Sequence, residues 1–356
     1  MCIRPFVAEI QSEFSPKMKQ YRLEPRSEGP AALVLHEIDE PAPGPGEVSV
    51  RLRAASLNYR DLLMRSGRSA SGGTDPVVPL SDGAGEITAV GEGVTEWQPG
   101  DRVAPTFFRD WISGPFDMAY HAAARGGSCD GVLAEALVAP AHSLVRVPDF
   151  MNFEEAATLP CAALTAWHAL MERGEPVGPG KTVLCLGTGG VSLFALQIAK
   201  AAGARVILTS SSSEKLERAH ALGADETMNY RETPEWDREV WRLTEKRGVD
   251  LVVEVGGPGT IGRSMDSLAA GGRIALIGVL TGFDPPSASL FPLVKKNASL
   301  DGIYVGNREM FVRMNAFLEA HRIRSVIDRV FPFDEAPAAY AHLESGAHFG
   351  KVVVAL

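Results

Sequence analysis

The chain is poor in cysteine, in long apolar runs and in positive charge. Four cysteines occur in 356 residues: Cys2, Cys129, Cys161 and Cys185. They make no C-x-x-C pair and no disulfide framework. Their scarcity suits a reducing compartment, so a cytoplasmic location is expected. Basic residues are outnumbered 35 to 44, for a net charge of −9. That balance argues against a nucleic-acid or anionic-membrane partner, but not against a small anion held in a local pocket. The stretch MCIRPFVAEIQSEF at the N-terminus lacks the apolar segment of a secretory signal. The uncharged run 182–199 is 18 residues long, but Gly187, Gly189 and Gly190 interrupt it. A strand, a glycine turn and a helix describe this run better than a membrane span. The eight histidines show no metal-ligand spacing.

What is present is a globular composition, 45% hydrophobic and 22% charged, with 36 glycines and 24 prolines marking many turns. The length suits two or three domains. Residues 1–17 read as an extension without visible chemistry. Residues 18–150 are β-rich: EVSVRLR at 47–53 alternates apolar and polar residues, and PAPGPGE, VGEGV and QPGDRV mark turns. Across 151–300, strand candidates at 182–186, 205–208, 251–255 and 273–277 alternate with helical spacing at 192–202, 213–222, 236–246 and 260–269. This order predicts an α/β fold with a doubly wound parallel sheet of Rossmann type beside a β-rich domain. In 301–356 two further strands, at 325–331 and 351–356, flank a helix at 335–344.

The most specific feature is VLCLGTGGVS at 183–192. A strand run ends at Leu186, glycines follow and a helical run begins, which is the context of a dinucleotide fingerprint. Gly187 permits the tight turn and Gly189 lets the backbone approach a pyrophosphate. The N–H groups after Gly190, from Val191 onward, can hold that anion. Ser192 stands where the third glycine usually falls. The second strand then separates the two nicotinamide cofactors. An NAD site ordinarily ends this strand with a carboxylate for the ribose 2′-hydroxyl. Here VILTSSSSEK at 206–215 places Ser210 there, with Ser211 and Lys215 available to a 2′-phosphate. NADP(H) is therefore the expected cofactor. The plainer alternative has the serines capping a helix and Lys215 solvated.

Together, PGPGEVSVRLRAASLNYRD, SDGAGEITAVGEGV with PGDRV, ATLPCAALTAWHAL, GTGGVS and HFGKVVVAL resemble the medium-chain dehydrogenase/reductase superfamily over nearly the whole chain. The resemblance implies a GroES-like catalytic domain, a Rossmann domain and an active cleft between them, in a homodimer or homotetramer. Alcohol dehydrogenases of the family hold a catalytic zinc by Cys, His and Cys. The matching positions here are Asn58, Ser81 and Cys161, of which only Cys161 is a competent soft ligand. No metal is therefore expected.

The zinc-free branch that this chain resembles contains quinone oxidoreductases and enoyl reductases. The expected activity is NADPH-dependent hydride transfer to a quinone or an enone. A donor from Tyr59, Asn58 or Arg60 would then stabilise and protonate the product oxygen. Tyr59 is equally well explained as a packed aromatic, and Arg60 with Asp61 as a structural ion pair. By resemblance, Thr165 lies near the nicotinamide and Tyr230 beside the adenosine phosphate. Val255 and Gly256 pass the ribose, and Ile277, Gly278 and Val279 face the carboxamide. Tyr304, Val305 and Gly306 continue that wall, and Lys351 reaches the nicotinamide end. Phe107, Phe108 and Trp111, in an aromatic loop, are expected either to line a substrate pocket or to meet a partner subunit. His168 is read as a packed or solvated residue. Two other functions compete with this one: a zinc-independent alcohol dehydrogenase or carbonyl reductase, and a non-enzymatic nucleotide-binding regulator on the same fold.

Overall fold

The computed structural model describes residues 16–68 and 76–356; residues 1–15 of the expected extension lie outside them. The first part of the chain is built of strands β1 (Lys17–Glu24), β2 (Ala32–Asp39) and β3 (Glu47–Leu57), helix α1 (Tyr59–Arg65), then β4 (Asp82–Val90), β5 (Arg102–Pro105), β6 (Ala136–Pro140) and β7 (Leu144–Arg146). β1 and β2 form an antiparallel pair. The alternation in β3 buries Val48, Val50 and Leu52 on one face, against β4 and β6. Helix α1 starts where the Asp61 carboxylate accepts the Asn58 N–H at 2.7 Å, an N-terminal capping contact.

A long irregular helix leads to the second sheet. It contains α2 (Phe153–Ala156) and α3 (Leu164–Trp167), with widened π turns at Leu159–Ala163 and His168–Glu172. Such turns rotate side chains out of ordinary helical register and often mark functional sites. Here they carry Cys161 and Thr165 toward one cleft and His168 toward a second cavity.

The second sheet follows as β8 (Thr182–Leu186), α4 (Gly190–Ala201), β9 (Arg205–Ser210), α5 (Ser213–Ala221), β10 (Glu226–Asn229), α6 (Trp236–Leu243), β11 (Val249–Glu254), α7 (Ile261–Ser267), β12 (Leu268–Leu276), α8 (Phe291–Lys296) and β13 (Ser299–Gly302). Its six strands are parallel in the order β10-β9-β8-β11-β12-β13. The chain starts at the central β8, winds outward, and then crosses to the other side. This is the doubly wound order, with its switch point between β8 and β11. The expected helix at 260–269 ends early, at Ser267, because β12 begins at Leu268 and pairs with Val249 through a register shift.

The chain then returns through α9 (Arg308–His321), β14 (Ile327–Pro332), α10 (Ala336–Glu344) and β15 (Lys351–Ala355). β14 and β15 join the first sheet, whose order is β14-β15-β3-β4-β5-β7, with β6 on β3. The largest buried cluster runs from Phe107, Phe108 and Trp111 through Leu164 and Trp167 to Leu193 and Phe311. It therefore joins the two sheets, and burying each such side chain contributes about 1.5–3 kcal/mol.

Candidate active site

A cleft of about 550 Å³ opens between the sheets, at the carboxyl ends of β8, β9, β11 and β12. This is where open parallel sheets bind ligands. Gly187 follows β8 with φ +77°, a left-handed conformation that glycine adopts without strain. The Ser192 hydroxyl donates to the Leu186 carbonyl at 2.6 Å, so the first turn of α4 is tied back to its strand. A Cβ added at Gly189 would meet nothing within 4 Å. The space over this helix start is open, and a helix start is where first-turn N–H groups can hold an anion. Gly190 differs: a Cβ there would lie 2.5 Å from Lys351 Cδ and 3.2 Å from Ala162 Cβ. Its missing side chain makes room for a lysine of the same protein. These residues fit a dinucleotide.

At the end of β9, Ser210 is buried and its Oγ accepts the Ser212 N–H at 3.3 Å. Ser212 in turn caps α5. The Lys215 ammonium lines the cleft but is not free. It donates to the carbonyls of Gly346 at 2.9 Å and His348 at 2.8 Å, and burial lowers its pKa. Tyr230 stands half-exposed on the same rim. Ser211, Val191, Thr165, Val255, Ile277, Gly278, Val279, Tyr304, Val305 and Lys351 also border the cleft.

The three candidates in SLNYRD face the cleft together. Tyr59 is 40% exposed, and among the described residues its hydroxyl has no hydrogen-bond partner. The Arg60 guanidinium lies 4.5 Å over the Phe107 ring and donates to the Arg125 carbonyl at 3.0 Å. Its distance to Asp61 is 3.7 Å. Asp61 itself is buried, and desolvation pushes its pKa up to about 6 even with Arg60 beside it. Asn58 Oδ1 accepts from the Lys351 ammonium at 2.5 Å, and the Leu57 carbonyl accepts from it at 2.6 Å. Asp82, fully buried, lies behind: it accepts the Ser81 hydroxyl at 2.7 Å and the Cys161 N–H at 3.2 Å. Burial raises the Asp82 pKa, opposed by Lys351.

This constellation does not fit a zinc ion. Of its three positions, Asn58 offers an amide oxygen already bonded to an ammonium, and Ser81 is a buried hydroxyl turned to Asp82. Cys161 is the single soft ligand of the three, where a catalytic zinc needs three protein donors. Among the described residues no group of three or more His, Cys, Asp or Glu side chains could hold a metal.

Several expected positions fall elsewhere. Gly256 does not line the cleft: its N–H donates to the buried Glu254 carboxylate at 2.8 Å, which also accepts from Gly257 and Thr260. Gly306 packs on α3, where a Cβ would lie 2.9 Å from Leu164 Cγ. Of the aromatic loop, only Phe107 borders the cleft. Phe108 is fully buried in edge-on contact with Phe107, Trp111, Phe116 and Tyr304. Trp111 lines a separate cavity of about 490 Å³, with Phe116, His168, Arg173, Tyr304 and Met310. Ile303 and Tyr304 form the wall between the two spaces.

Three contributions were not foreseen. His168 Nδ1 donates to the Val305 carbonyl at 2.8 Å, and burial lowers the pKa of this histidine. Val305 has φ +51°, a conformation that β-branched residues avoid. His168 thus braces a strained residue in the cleft wall. Asp82 is invisible to motif reading because a buried acid next to a serine has no spacing signature. The loop 346–350 lies against the turn after β8: Gly350 N–H donates to the Thr188 carbonyl at 2.9 Å, and His348 borders the cleft. Its sequence signal is the HFGKVV string, which carries the family resemblance without marking His348 as a site residue.

Comparison with known proteins agrees with this geometry. Residues 44–149 match the alcohol dehydrogenase GroES-like domain, and residues 190–320 match the zinc-binding dehydrogenase family. A zinc-type alcohol dehydrogenase-like protein of Schizosaccharomyces pombe is 49% identical over 315 residues, 87% of this chain and 91% of the relative. A quinone oxidoreductase of Pseudomonas aeruginosa is 33% identical over 337 residues, 92% of this chain and 96% of the relative. Among solved structures, a putative alcohol dehydrogenase from Sinorhizobium meliloti 1021 is 42% identical with a TM-score of 0.89, covering 96% of this chain and 100% of its own. An NAD-dependent alcohol dehydrogenase is 35% identical with a TM-score of 0.85, covering 95% and 99%. The chain, with its GroES-like part and its parallel-sheet Rossmann part, belongs to the medium-chain dehydrogenase/reductase superfamily of oxidoreductases.

Proposed function

We propose that this protein is an NADPH-dependent, zinc-independent reductase of quinones or of activated C=C bonds. The observation that carries the reading is the Lys351 ammonium bonded to Asn58 Oδ1, at a position where a metal-dependent relative needs a thiolate. Without a Lewis acid, the site suits substrates that are already electron-poor. The carboxylate-free end of β9, with Ser210, Ser211 and Lys215 on the cleft, supports NADPH over NADH.

When bound, the reduced nicotinamide supplies a hydride to the conjugated carbon. The residues of the chain do the rest. Thr165, Ile277 and Val279 border the cleft near the reacting end. As hydride adds, the C=C pair shifts to join the carbonyl carbon, and the C=O π pair moves onto the substrate oxygen. The Tyr59 hydroxyl, half-exposed and otherwise unpaired, donates its proton to the resulting anion and recovers one from solvent. The Arg60 guanidinium, held over Phe107, supplies positive potential to the same anion.

A second reading, alcohol dehydrogenase or carbonyl reductase, is favoured by the names of the relatives. Following NADPH oxidation with 1,4-benzoquinone, 2-cyclohexenone and benzaldehyde, on protein assayed for zinc, separates the two. Turnover of the quinone or enone without zinc supports our proposal. Turnover of the aldehyde alone, or stoichiometric zinc, overturns it. Cys129, Cys161 and Cys185 are free thiols, consistent with a cytoplasmic enzyme. No helix among the described residues is long and apolar enough to cross a membrane. The edge strand β13 and the exposed Phe283, Phe291, Val294 and Leu300 suit pairing with a second copy, giving a homodimer or homotetramer. Light scattering of the purified protein tests this.

A further inference from the structure

The loop 346–350 joins α10 of the first sheet's domain to β15, yet four contacts fasten it to the Rossmann side. Lys215 Nζ donates to the Gly346 and His348 carbonyls at 2.9 and 2.8 Å. Gly350 N–H donates to Thr188 O, inside the glycine turn, at 2.9 Å. The Arg218 guanidinium lies 4.0 Å over the Phe349 ring. The loop is thereby held against the helix start at which the dinucleotide's phosphates would rest. His348 borders that cleft. Its Nδ1 is buried and has no hydrogen-bond partner among the described residues.

A buried ring nitrogen left unpaired is costly unless a ligand satisfies it. The charges facing this imidazole come from every element around it. Lys215 on α5, Lys351 on β15 and His342 on α10 oppose a proton, while Asp328 on β14 favours one. Burial, the largest cause, acts with the two lysines to hold the pKa at about 4, so the ring is neutral at pH 7 in the free protein. A phosphate anion brought against these same cations reverses the local potential and makes the imidazolium the favoured form.

We propose that His348 is a phosphate ligand of the dinucleotide, and that it takes up a proton as the phosphate arrives. This inference rests on the cofactor reading given above and extends it to a residue outside the expected set. The recognised chemistry is a phosphate oxyanion, supplied either by the pyrophosphate or by the ribose 2′-phosphate.

The test is calorimetric titration of the full-length wild type and of His348→Gln with NADPH and with NADH. Titrations are run at pH 5.5 and 7.5, in buffers of different ionisation heat. If the bound imidazole returns to its ordinary pKa, the wild type takes up about 0.9 proton at pH 5.5 and binds roughly tenfold tighter there than at pH 7.5. In His348→Gln that uptake disappears and the pH dependence flattens by the same factor. The nucleotide's own titration cancels in this comparison. Uptake with NADPH alone assigns the 2′-phosphate; uptake with both nucleotides assigns the pyrophosphate. Tight binding with equal proton uptake in wild type and variant overturns the proposal. Failure of the wild type to bind either nucleotide overturns the cofactor reading with it, a distinct outcome. Should the variant not fold, the imidazole ¹⁵N shifts of the wild type, titrated with and without NADP⁺, decide the point. A His348 pKa unmoved by nucleotide rejects the proposal.

Discussion

The ammonium of Lys351 lies 3.8 Å from Asp82 Oδ2, and the two side chains are only 3% and 0% exposed. A buried cation and a buried anion thus compensate one another behind the cleft wall. Removing one partner of such a pair strands the other charge. Lys351→Met should therefore destabilise the fold by about 3–5 kcal/mol near neutral pH, measured by urea unfolding. The sign of the pH dependence follows from Asp82. Its folded pKa is raised already, and loss of Lys351 raises it further. Stability is then lost as pH rises from the ordinary carboxyl range, so the variant is least impaired at pH 5 and most at pH 8. Adding Asp82→Asn should restore much of the loss; a strictly additive double variant refutes the pairing.

Gly189 and Gly190 make a contrasting pair. Gly189→Ala meets no protein atom within 4 Å, so its thermal stability should change by less than about 0.5 kcal/mol while nucleotide affinity falls. Gly190→Ala drives a methyl group into Lys351 and should cost about 1–3 kcal/mol in unfolding free energy as well. Equal effects of the two substitutions on melting would contradict this distinction.

Ser210→Asp places a carboxylate at the end of β9. Fluorescence titration should show NADPH binding weakened roughly tenfold or more and NADH binding spared. An unchanged ratio removes the 2′-phosphate from this part of the cleft.

Tyr59→Phe should lower the turnover number by about 10²-fold with little change in nucleotide affinity, the usual scale for losing a general acid. Full activity would return Tyr59 to a packing role.

Asp61 carries a pH signature of its own. Its pKa is raised from 3.8 to about 6, so it contributes stability that is complete below pH 4 and lost as pH rises through 6. The difference in unfolding free energy between wild type and Asp61→Asn should change by about 2 kcal/mol between pH 4 and pH 7, in the direction that favours the variant at pH 7.

Where the sequence was legible, local pattern and tertiary role coincided. The run 182–186 is a strand at both levels, and the glycines after it have no alternative use. Tyr59, Asn58 and Arg60 could be grouped because one short motif contains them. Legibility failed where a residue's role depends on distant partners. Lys215 reads as a free phosphate ligand until the carbonyls of the loop 346–350 are seen to hold it. Phe108 reads either as a pocket wall or as a partner contact because an apolar loop and an apolar core have the same composition; only packing shows that its ring turns inward. β10, with the weak strand sequence ETMN, exists because β9 offers a parallel edge and Met228 finds burial. His168 and Val305 are 137 positions apart, and no spacing rule connects them.

The side chain of Lys351 runs through the space left by Gly190, and Gly350 hydrogen-bonds into the turn at Thr188. The last few residues of the chain therefore complete an element that begins some 160 positions earlier. Recombining this enzyme with a relative should respect that inheritance. A crossover that imports a foreign Rossmann segment while keeping the native tail would pair a lysine with a turn not shaped for it. Exchanging both segments together keeps lock and key from the same parent.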